Sequence, residues 1–89
     1  MVDRSDEYII GRLIERSRLL IALSEEIPVE TKLQTQPLLK QLEQALAVPA
    51  DEQDEERVRG TFAALYGELA EYADLEALLS ALKNFVPYL

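Results

Sequence analysis

An all-α fold, a small up-down antiparallel four-helix bundle, is what this sequence predicts, and three observations carry the prediction. Apolar residues recur every three or four positions over four separate stretches, the spacing of one helix face. No segment alternates with period two, so there is no strand candidate. With three Gly and four Pro in 89 residues, turns are few and elements long. Short connections between amphipathic helices imply antiparallel neighbours. The length suits a single domain over residues 1–89, near the size at which one core just suffices.

The first helix is expected at about residues 6–26. Ile9, Ile10, Leu13, Ile14, Leu20, Ile21 and Ile27 fall on one stripe, Ser5 or Asp6 can cap the start, and Pro28 closes it. The second is expected at 36–47, with Thr35 as N-cap and Pro37 in the first turn, where a missing amide costs nothing. Its face is Leu38, Leu39, Leu42, Ala45 and Leu46. Leu33 is out of phase with that face and argues against one helix running through from Val29. The third, at 52–73, has the cleanest periodicity: Val58, Phe62, Leu65, Tyr66, Leu69, Tyr72 and Ala73. The fourth, at 75–86, places Leu75, Leu78, Leu79, Leu82, Phe85 and Val86 in phase, with Asp74 as N-cap and Pro87 at the end. The apolar tail Asn84–Leu89 is expected to fold back on the core or to dock into a partner.

Composition excludes much chemistry. There is no Cys and no His, hence no disulfide, no thiolate zinc site and no Ser-His or Cys-His nucleophile pair. A di-iron bundle needs Glu-x-x-His twice and has neither copy. Gly11, Gly60 and Gly67 are isolated, so no phosphate-cradling loop exists. No catalytic, metal or cofactor-binding residue is assigned, and a non-enzymatic protein is expected. The N-terminus lacks a basic region followed by an apolar run, and the longest apolar run is Leu19–Leu23, far short of a membrane span. A cytoplasmic protein without membrane contact is expected.

Net charge is −8, unevenly placed. Residues 1–20 hold four acids and four bases, whereas residues 51–89 hold nine acids and three bases. Nucleic acid is therefore an improbable partner, and a basic protein a better one. In the stretch PADEQDEERVRG, Asp51, Glu52, Asp54, Glu55 and Glu56 crowd six positions. An EF-hand register from Asp51 fails, because Glu56 stands where Gly is needed and Phe62 where the bidentate Glu belongs. A helix start explains the run better: Asp51 as N-cap, Asp54 three residues on as a loose capping box, and Glu55 paired with Arg59.

Two helix faces depart from simple patterning. The third helix sets Gly60, Ala63, Ala64, Gly67 and Ala70 nearly opposite its large residues. Two mid-helix Gly cost roughly 0.5–1 kcal/mol each relative to Ala, which close approach of another backbone would offset. The first helix carries Tyr8, Leu19 and Leu23 off its main stripe, which contact between that helix and both neighbours in the bundle would explain; an exposed interface is the alternative. Arg12 and Arg16 share a face there, flanking Glu15, in a mixed-charge surface rather than a nucleic-acid patch.

The stretch from Leu38 to Leu89, with LLKQLEQALAVPADEQDEERVRGTFAAL followed by LEALLSALKNFVPYL, resembles the short helical accessory segments beside NACHT or STAND-type ATPase modules in bacterial signalling proteins. The likeness is a Leu-rich helix, a Pro and acid turn, a second amphipathic helix and a Leu-rich terminal helix near a Pro. The resemblance implies protein–protein interaction and assigns no functional residue. Taken together, a non-enzymatic module acting by helix-face packing is expected, with a homo-oligomer such as a dimer as one form of it. Its first surface is Gly60, Ala63, Ala64, Gly67 and Ala70, and its second Tyr8, Leu19 and Leu23. The alternative is an acidic inhibitor of the immunity-protein or antitoxin type. There Asp51, Glu52, Asp54, Glu55, Glu56, Glu68 and Glu71 would mask a basic surface.

Overall fold

A computed structural model describes residues 4–89, with side chains from Asp6 onward. Within them the chain forms α1 (Arg4–Leu23), α2 (Val29–Leu46), a 3₁₀ turn at Ala50–Glu52, α3 (Glu55–Leu69) and α4 (Ala73–Leu82), with no strand among the described residues. Each helix packs on the one before it, and α1 against α4 closes the ring. The direction alternates. Lys32 Nζ donates to the Ala22 carbonyl at 3.1 Å, while Gln36 Nε2 reaches Arg18 O at 3.3 Å, so climbing α2 means descending α1. This is the small all-α four-helix bundle expected from the periodicity, 37 × 22 × 17 Å in extent.

One core runs through all four helices: Ile10, Ile14 and Ile21 from α1, Leu39, Leu42 and Leu46 from α2, Val58, Phe62, Leu65 and Leu69 from α3, and Leu75, Leu79 and Leu82 from α4. Ile27 and Val86 enter from outside the helices. Three polar residues join them, Ser17, Thr35 and Thr61. Helices absorb such hydroxyls by hydrogen-bonding them to a carbonyl one turn back. Ser17 Oγ donates to Leu13 O at 2.8 Å, and Thr35 Oγ1 to Thr31 O at 2.7 Å.

Several element boundaries differ from expectation, each for a local reason. α1 ends at Leu23, not 26, because Ser24 takes over: its Oγ accepts from the amides of Glu26 at 3.1 Å and Ile27 at 3.3 Å. That turn swings Ile27 back into the core. Ser5 and Asp6 lie within α1; the positions before Arg4 are outside the described residues. Pro28 does not close α1 but opens α2, as the extended residue before its first turn.

The largest correction concerns α2, which starts at Val29 rather than 36. Leu33 is indeed out of phase, but it faces outward with 69% of its surface exposed and interrupts nothing. Thr35 is no N-cap; it fills the core slot one turn before Leu39. Pro37 therefore sits in the helix interior, where its ring removes the bond to the Leu33 carbonyl. The ring itself is on the exposed side, and the core slots at 35, 39, 42 and 46 continue in phase across it.

Asp51 is not the cap of α3. The acids at 51 and 52 belong to the 3₁₀ turn, and Asp54 is the N-cap, its Oδ1 accepting from the Arg57 amide at 3.1 Å. Asp54→Ala is expected to cost about 1 kcal/mol and Asp51→Ala close to nothing, measured by urea denaturation. α3 ends at Leu69, not 73, and Tyr72 rather than Asp74 precedes α4. α4 stops at Leu82; residues 83–88 wind on as turns that tuck Val86 into the core.

Candidate functional site

The interior holds nothing aimed at a ligand. Among the described residues no buried side-chain nitrogen or oxygen lacks a hydrogen-bond partner. No group of three or more acids there could hold a metal ion, and no helix is long and apolar enough to cross a membrane. Interest moves to the surface.

The small-residue face of α3 is open. Gly60, Ala63, Ala64 and Gly67 are exposed, and Ala70, half-buried, is the residue that ends the helix. A Cβ placed on Gly60 or Gly67 would meet nothing within 4 Å, so no backbone of this chain approaches them. The close approach that two Gly suggested is not made within the bundle. Beside this face a shallow groove of about 480 Å³ runs between Ala63 and Gly67 and the tail residues Tyr88 and Leu89. Lys83 lies in it, its ammonium 5.7 Å and 5.6 Å from the ring centres of Phe62 and Tyr66.

The second face answers differently from expectation. Of the two arrangements open to Tyr8, Leu19 and Leu23, contact with both neighbouring helices is not the one found: they are 68%, 51% and 78% exposed. The bundle explains why: α1 packs against α2 and α4 through the face of Ile10, Ile14 and Ile21, and Tyr8, Leu19 and Leu23 lie on the opposite side of the helix. Arg12, Glu15 and Arg16 share that side with them. Val29 and Leu33, at the start of α2, are exposed to similar degree. Lys32 bridging to Ala22 puts the start of α2 beside the end of α1.

The acids do not form one patch. Asp51, Glu52, Asp54, Glu55 and Glu56 are all exposed at one end of α3, with Glu55 at 3.8 Å from Arg59. Glu68 and Glu71 lie twelve or more residues beyond Glu56, about 18 Å or more away at 1.5 Å per residue. At that far end they join Glu26 around Tyr72, whose pKa is raised by burial first and by Glu71, Glu26 and Glu68 after it.

Sequence reasoning missed the polar clasps. Gln53, the one neutral residue in the acid run, donates from Nε2 to Val48 O at 3.1 Å and accepts the Tyr88 hydroxyl on Oε1. It ties the α2–α3 connection to the tail, 35 positions away. Glu76 Oε1 accepts from Ser80 Oγ at 2.7 Å and Tyr66 Oη at 3.0 Å. Those donors, Ser80 first, hold its pKa below the usual carboxylate value, while accepting from Tyr66 raises the phenol's. A Glu-x-x-x-Ser spacing was the only local signal. Comparison with family models, with characterised proteins and with solved structures found no match.

Proposed function

We infer that this chain is a non-enzymatic protein–protein interaction module that works through helix faces its own packing leaves uncovered, self-association included. One observation carries the reading. A bundle with a complete core still exposes Leu19, Leu23, Val29 and Leu33 around the turn of one helical hairpin, and Tyr8 about three turns further along α1. Single exposed leucines need no explanation, whereas several large apolar residues exposed on both helices of one hairpin are the kind of surface that interfaces use. The open face of α3 offers a second surface, with Gly60 and Gly67 admitting close approach of another backbone. The absence of His and Cys and, among the described residues, the lack of any unpartnered buried polar side-chain group support the non-enzymatic part. The cytoplasmic address expected from composition goes with it. The separation of the acids into two clusters weakens the inhibitor alternative, which wants one continuous negative surface.

Leu19→Glu and Gly67→Leu test the reading, each on the otherwise intact chain. At least one is expected to change molar mass by light scattering or to abolish capture of the natural partner. If both variants match the parent in mass and in capture, these faces are not interfaces.

A further inference from the structure

We draw no further inference here: the strongest candidate, the shallow apolar groove between the open face of α3 and the tail, lined by Phe62, Tyr66, Lys83 and Tyr88, carries nothing further because nothing in the structure shows what covers it.

Discussion

Leu42→Ala is expected to lower stability by about 2–5 kcal/mol, whereas Leu33→Ala in the same helix should change it by less than about 0.5 kcal/mol. Leu42 is fully buried, at the centre of a core drawn from all four helices, and its truncation removes apolar contacts while leaving a cavity that a close-packed interior fills only in part. A chain of this size holds roughly 5–10 kcal/mol in total, so the first substitution consumes a large share of it. Urea denaturation followed by circular dichroism reads both. The midpoint for Leu42→Ala should fall sharply with the slope unchanged, and that for Leu33→Ala should hardly move. Equal losses at the two positions would mean that α2 does not begin where the structure starts it, since both leucines would then be core residues.

That contrast also shows what periodicity can and cannot reveal. The buried faces of α1, α3 and α4 were legible because large apolar residues mark most of their core slots, with Ser17 in α1 and Thr61 in α3 as single polar exceptions. In α2 the mark fails twice. The core slot at 35 is a threonine, whose hydroxyl is silenced by its own helix, and the conspicuous leucine at 33 points to water. A pattern of side-chain polarity cannot register a hydroxyl bonded one turn back. The cap of α3 was missed for another reason. Asp51 and Asp54 both carry the right chemistry, and only the 3₁₀ turn at Ala50–Glu52 decides which one meets the first free amides. The surfaces were legible as oddities, yet whether an off-stripe leucine is covered depends on which flanks of α1 its neighbours occupy. No spacing within one helix contains that.

Replacing Gly11, Gly60 and Gly67 together by Ala should raise stability by roughly 1.5–3 kcal/mol, a gain on the order of 10 °C in Tm. All three lie inside helices with negative φ, so the substitution strains no backbone. A Cβ at any of them meets nothing within 4 Å, so nothing offsets the lower conformational entropy that Ala brings to the unfolded chain. The sites are on separate turns with no shared partner, and the effects should add. Differential scanning calorimetry on the single and triple variants checks this; a triple variant no more stable than the parent would refute it. A chain that keeps three such glycines in open helix positions gives up stability there. If the α3 face serves as a docking surface, Gly60→Ala and Gly67→Ala should strengthen the fold while weakening partner capture, the trade that functional surfaces commonly show. Gly11→Ala should strengthen the fold alone.

The proline within α2 divides that helix into two hydrogen-bonded lengths. From Leu39 onward α2 is held by three leucines in the core, but over Val29–Gln36 only Thr35 is buried. The first length can thus unwind without breaking the main core, and the cost of doing so is a fraction of global unfolding. Two scales of opening coexist in one small domain. The shallower one lies beside the exposed end of α1, where a partner would arrive, so docking there would also set the lifetime of the local fold.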